Sequence, residues 1–303
     1  MAREPDPLSR QAWLAFAALC VIWGVPYFFI RIAVQDVPPL VVAWGRITLA
    51  ALILLPIAWQ RGALAAVRAH LGAVCVFALV EFVVPFSAIC IGERWIGSAI
   101  AGILVAGVPL TIALISRFAG LHEPLGARRL SGLVIGFLGV AGLMGLGPVS
   151  GVHGWIGAAC MLVATLGYAA GPLVIQRHLA QLPPIGPVAT SLTIASLVLL
   201  LPATLTLPSQ VPSLADLGSI VILGVLCTAI AMLLMFSLVA DAGAARASVI
   251  TYINPIVATL LGAGLLHERI GAVGLIALVV ILAGSWLATQ GARPAALSSR
   301  EPA

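Results

Sequence analysis

Apolar residues run along this chain in blocks far longer than one face of a water-exposed helix requires. Windows of roughly 20 residues with almost no charge fall at about 11–30, 39–59, 70–91, 96–117, 130–147, 154–175, 185–206, 216–240, 244–265 and 271–290. A helix needs about 20 such residues to cross the hydrocarbon layer of a bilayer. The pattern therefore predicts an all-α polytopic membrane protein with ten spanning helices, short loops and polar tails at 1–10 and 291–303. The first block follows Arg3 and Arg10 as a secretory signal would. It runs on through Trp23-Gly24-Val25-Pro26-Tyr27 to Ile30, too long for a cleaved signal, and is read as the first span.

The blocks repeat. Val108–Glu123, VPLTIALISRFAGLHE, is echoed by Ile253–Glu268, INPIVATLLGAGLLHE, each running from a proline in an apolar helix to a His-Glu pair. Leu54-Leu55-Pro56 is matched by Leu200-Leu201-Pro202, and Gly126 and Gly139 by Gly271 and Gly284. Two five-span units are thus expected, at 11–147 and 148–290. An odd number of spans makes the second unit enter the membrane in the opposite sense, which relates the halves by a pseudo-two-fold axis in the membrane plane, around a central cavity.

Composition narrows the class. Hydrophobic residues make up 62% and charged residues 8%, and the mean hydropathy is +1.17, a balance that belongs in lipid. The net charge of +5 comes from arginine alone, since lysine is absent, and its placement argues topology, not nucleic-acid binding. With the N-terminus inside, Arg3, Arg10, Arg61, Arg68, Arg117, Arg128, Arg129, Arg177, Arg246, Arg293 and Arg300 are cytoplasmic. Arg31, Arg94 and Arg269 fall on the other side, and Arg46 lies within a span. Both termini are expected in the cytoplasm of a bacterial inner membrane. The five cysteines have no paired spacing and read as small core residues. The histidines at 70, 122, 153, 178 and 267 share no metal-binding pattern, and no metal or cofactor is expected.

Trp23-Gly24 in the first block, Arg46 in WGRITLAALILLP, Pro109 and Glu123 closing the first unit, and Asn254-Pro255 and Glu268 closing the second resemble the drug/metabolite transporter superfamily, in particular its ten-helix EamA-type exporters. The likeness covers nearly the whole chain and is greatest to the aromatic amino-acid exporters of the YddG type. It implies export of small metabolites by alternating access, with the solute held in a cavity between the halves.

Few groups are available to do chemistry in such a cavity. Glu81 lies near the middle of the third span, roughly 15 Å below the outer surface, and Arg46 lies roughly 10 Å below it. Intramembrane charges pair, face a cavity or carry protons. Three roles stay open for Glu81: a fixed ion pair with Arg46, a contact to a substrate ammonium, or a protonatable coupling site. Pro26, Pro85, Pro109, Pro172 and Pro255 fall inside spans, remove main-chain hydrogen bonds and mark kinks that line and gate a pathway. Near them cluster Trp23, Tyr27, Tyr168, Thr251, Tyr252 and Asn254, with Met232 as an adaptable apolar wall; hydrogen bonding between helices is the plainer role for each polar one. Trp13, Trp59, Trp95, Trp155 and Trp286 sit at span ends as an interfacial belt. Gly132, Gly136 and Gly139, with Gly274 and Gly284, form close-packing faces. His122-Glu123 and His267-Glu268 read as turn residues.

The expected activity is secondary-active or facilitative export of amino acids with large apolar side chains, or of similar amphipathic metabolites. Efflux of lipophilic cations is the alternative within the fold, and a passive channel or a membrane-embedded enzyme is the alternative in class. No GxxxxGK[ST], GxSxG or HExxH occurs, and Asp36, Asp216 and Asp241 lie at span ends, so no enzymatic chemistry is expected. The expected partners are a small-molecule substrate, the bilayer and, as one candidate coupling ion, protons, with a monomer as the unit. Opposed insertion of the halves predicts that cysteines introduced at His122 and His267 react with an impermeant maleimide from opposite faces of the membrane. Labelling of both from one face would rule that topology out.

Overall fold

The computed structural model describes residues 9–118, 127–147, 149–242 and 247–289. The His122-Glu123 turn, Arg246 and both tail ends lie outside the described residues. Helices and turns account for all secondary structure among the described residues. In order these are α1 (Arg10–Ile22), α2 (Pro26–Ala33), α3 (Pro39–Gln60), α4 (Leu64–Val67), α5 (Leu71–Phe77), α6 (Val84–Gly92), α7 (Ser98–Val105) and α8 (Val108–Phe118). There follow α9 (Ala127–Leu146), α10 (Gly151–Val174), α11 (Ile185–Thr204), α12 (Leu214–Val221), α13 (Ala231–Ala242), α14 (Ile250–Leu265) and α15 (Gly271–Thr289). Three wide-turn π segments join neighbours: π1 (Ala78–Val83), π2 (Ile175–Leu179) and π3 (Ile222–Ile230).

Taken through their breaks, these elements give eight helices long and apolar enough to cross a membrane, from Arg10–Ala33 to Gly271–Thr289. Two shorter apolar helices, Leu130–Leu146 and Ile250–Leu265, occupy the fifth and ninth windows. The outward surface carries large side chains such as Leu138 and Val279, the reverse of a water-soluble protein and what a lipid-facing surface requires.

The breaks follow local chemistry. Pro26 is the first residue of α2, and Pro85 and Pro109 are the second residues of α6 and α8. For Pro26 and Pro109 the missing N–H falls in a first turn that has no internal acceptor anyway. Pro172 and Pro255 lie within α10 and α14. π1 immediately precedes Pro85, so there the helix accommodates the ring by widening a turn instead of bending alone, whereas π2 follows Pro172 and π3 has no proline beside it. The sequence pattern carries no mark of these wide turns.

Packing crosses the midpoint of the chain. The main helix pairs are α1 with α13, α3 with α11, α6 with α10, α7 with α14 and α9 with α15, each joining the first half to the second. The α9–α15 seam is built on glycine. A Cβ placed on Gly132 would meet the Gly284 carbonyl at 2.8 Å, and one on Gly139 would meet Ile281 at 2.9 Å. Backbones approach this closely only without side chains, and dispersion between them holds helices together where lipid removes the hydrophobic drive. Gly284→Leu should force the seam apart and cost about 1–3 kcal/mol, read as a lower unfolding midpoint of the purified protein in detergent.

Candidate functional site

Arg46 is carried on α3 and is 4% exposed. Its Nη2 donates to Thr228 Oγ1 at 3.1 Å, and the guanidinium lies over the Phe86 ring at 3.8 Å. Thr228 belongs to π3, and its hydroxyl donates to Leu223 O, five residues back, at 2.8 Å. The wide turn thus positions the hydroxyl that receives the arginine. Arg46 Nε has no partner.

Glu81 sits in π1. Its Oε2 is buried without a hydrogen bond, pressed against Gly171 of α10, where any Cβ would collide with it. Of the three roles open to Glu81, the fixed ion pair with Arg46 is not formed. The π turn carries Glu81 toward the space that Gly171 leaves open, while the Phe86 ring and Thr228 take the guanidinium. A guanidinium and a carboxyl group therefore stand in one membrane core without forming an ion pair. Tyr168 lies within electrostatic range of both, and its ring meets the edge of Phe86 at 6.5 Å. Tyr27, 9% exposed on α2, is in electrostatic range of Tyr168 and Arg46. Met232 of α13 packs against the main hydrophobic core of the bundle.

The other expected residues divide. Trp23 lies in the break before α2 and packs with α1, α13 and α14 side chains in a separate cluster. Asn254, with its amide nitrogen turned toward carbonyls, donates to Cys20 O at 3.2 Å and Ile250 O at 3.0 Å, tying α14 to α1. A Cβ on Gly24 would meet the Asn254 carbonyl at 2.8 Å, so the broken first span lies directly on the ninth. Thr251 donates to Ser248 O at 2.7 Å, within its own turn. Tyr252 is directed away from the charged core: its hydroxyl meets Thr289 Oγ1 at 2.7 Å and donates to Ser285 O at 3.4 Å on α15. Gly171, the flexible neighbour of Pro172 in the sequence, completes the core together with Thr228 and Phe86, which the sequence did not single out.

Residues 11–145 and again 155–290 match the model of the EamA-like transporter family. The chain belongs to the EamA-like transporter family. Among its relatives, the uncharacterized inner membrane transporter YedA of Escherichia coli K12 is 32% identical, the alignment covering 91% of this chain and 90% of that protein. The uncharacterized transporter YoaV of Bacillus subtilis is 23% identical over 92% of this chain and 97% of its own length. A solved crystal structure superposes with a TM-score of 0.65 at 22% identity, covering 93% of this chain and 98% of that one. This EamA-like chain is a multi-pass inner-membrane protein, and its family implies transport of a small molecule in a lipid environment and points to a transporter rather than an enzyme.

In this EamA-like protein Gly171 and Glu81 form a coupled pair. Gly171→Ala should displace the Glu81 carboxyl and destabilise the fold by about 1–3 kcal/mol. Adding Glu81→Ala should recover most of that loss, a non-additivity that a double-mutant cycle of unfolding midpoints measures.

Proposed function

We propose that this EamA-like transporter exports zwitterionic amino acids with large apolar side chains. The observation that carries the reading is the unpaired Arg46 guanidinium and Glu81 carboxyl group, each with an unpartnered polar atom, in one aromatic core around Tyr168 and Phe86. A buried charge without a counter-charge is costly. A solute bearing a carboxylate and an ammonium a few ångströms apart supplies both partners at once, and Phe86, Tyr168, Tyr27 and Met232 offer its side chain an apolar surround. A lipophilic cation satisfies only Glu81 and is repelled by Arg46, so the zwitterion is the better fit.

Transport then proceeds by alternating access in a monomer of ten spans, arranged as two inverted five-helix halves with both termini cytoplasmic. Several features support the inversion. The family match occurs twice, and π1 and π3 overlap when the halves are aligned in the 146-residue frame. The main helix pairs map onto one another when the halves are exchanged: α1–α13 becomes α10–α6, and the other three map onto themselves. The breaks at Pro26 and Pro172 lie beside the charged core and provide the bending points.

Counterflow into proteoliposomes with a panel of labelled phenylalanine, tryptophan, leucine, aspartate, lysine and tetraphenylphosphonium tests this. Saturable exchange of the neutral apolar amino acids is expected. Arg46→Gln and Glu81→Gln should each lower it about 10- to 100-fold, the loss of one charge-assisted contact. Uptake of tetraphenylphosphonium in place of amino acids, or unchanged amino-acid exchange in both variants, would overturn the assignment; non-saturable flux would indicate a channel.

A further inference from the structure

A second charged cluster lies at one end of the bundle, where α2, α6, α7 and the turn between α14 and α15 meet. Glu93 immediately follows α6, is 0% exposed, and neither of its carboxyl oxygens has a hydrogen-bond partner. Arg31 donates to the main-chain carbonyl of Glu93, not to its side chain. Nearby, the Glu268 carboxylate accepts from the amides of Ser98 at 2.7 Å and Ala99 at 2.9 Å, the first two of α7. That grip requires glycine on both sides, since a Cβ on Gly97 or Gly262 would meet Glu268 Oε2 at 2.7 Å. Glu268 belongs to the second half and α7 to the first, so this contact latches the halves together.

The charged and titratable groups around the Glu93 side chain come from every neighbouring element. Glu268 repels its anion, Arg31 and Arg46 attract it, and Tyr27 and Cys90 lie in electrostatic range. Arg94 and His153 are at the same end but lie against the Trp95 ring, at 5.9 and 4.2 Å from it, and Cys160 of α10 borders Gly92. Burial first, and then the Glu268 carboxylate, push the Glu93 carboxyl well above the usual carboxylate range, and the two arginines offset this in part. Glu268 is satisfied as an anion by two amides at a helix start, whereas Glu93 has no donor for a negative charge.

We propose that Glu93 is a proton-binding site: its protonated form holds the Glu268–α7 latch closed, and release of the proton opens that end of the bundle. The chemistry is one ionisation. The carboxyl O–H bond breaks, the proton passes to water, and the anion left beside Glu268 has no hydrogen bond until separation of α7 from the turn admits water. The closed form thus binds the proton more tightly than the open form, and by linkage it is favoured at low pH and lost as pH rises through the raised pKa of Glu93. Opening of that end of the bundle is thereby made dependent on pH. The inference goes beyond the solute assignment and does not depend on which solute is carried.

Hydrogen–deuterium exchange of the full chain in lipid nanodiscs tests it without any solute. After correction for intrinsic exchange, protection of the Ser98–Val105 amides should be flat at acidic pH. Above the titration it should fall about tenfold per pH unit, the slope for one proton, while α9 and α15 stay unchanged. Glu93→Gln should remain protected across the whole range. Protection of α7 independent of pH in the wild type, or the wild-type slope persisting in Glu93→Gln, would overturn the proposal; if that variant does not fold, the wild-type slope alone decides. An intact slope in a protein that exchanges no amino acid would defeat the solute reading and leave the latch standing.

Discussion

Backbone amides and carbonyls inside a bilayer have no water to bond, so every departure from a regular helix must find its own partner. That constraint organises this protein. The wide turn of π3 brings the Thr228 hydroxyl onto Leu223 O, and that same hydroxyl receives Arg46. The break before Pro26 lies on α14, where Asn254 bonds the Cys20 carbonyl left by the interrupted first span. Where the helices are irregular, polar side chains are needed. Where polar side chains collect, a charged solute has somewhere to bind, so the irregularities and the candidate site have one physical origin.

The charged core shows why opposite charges close together in sequence need not pair. Arg46 and Glu81 sit at comparable depths on adjacent spans, yet an aromatic ring and a threonine take the guanidinium, while a glycine leaves room for the carboxyl on another helix. A closed ion pair would be a structural tie. A guanidinium and a carboxyl group held apart present two different partners to a ligand, with their directions fixed before it arrives. The Glu268 carboxylate represents the opposite design: its charge is met by two helix-start amides and serves to hold the halves in register.

Much of this was legible from residue order. The apolar blocks located the long helices, the glycines of α9 and α15 located a close seam, and Arg46 and Glu81 were recognisable because charge in lipid demands a reason. What sequence did not carry was orientation. A π turn inserts part of a residue's rotation without changing composition, so it redirected Glu81 from α3 toward Gly171 unseen. Thr228 looked like any threonine in an apolar helix, whose hydroxyl commonly bonds its own turn. Tyr252 shared a helix with Asn254 yet turned toward α15, because a phenol takes whichever acceptor lies within its reach. Glu93 escaped notice because it falls just outside an apolar block, where a carboxylate ordinarily meets solvent.

The cross-half pairing of helices has a consequence for how the molecule comes into being. Since α3, α6, α7 and α9 each find their main neighbour in the second half, the first five apolar blocks leave the ribosome with their contact faces vacant. The glycine face of α9 and the gap opposite Glu81 stay exposed to lipid or to the insertion machinery until the corresponding later helices are threaded in. Assembly of this protein is accordingly a late, collective event, and a nascent chain halted midway holds little of the finished architecture.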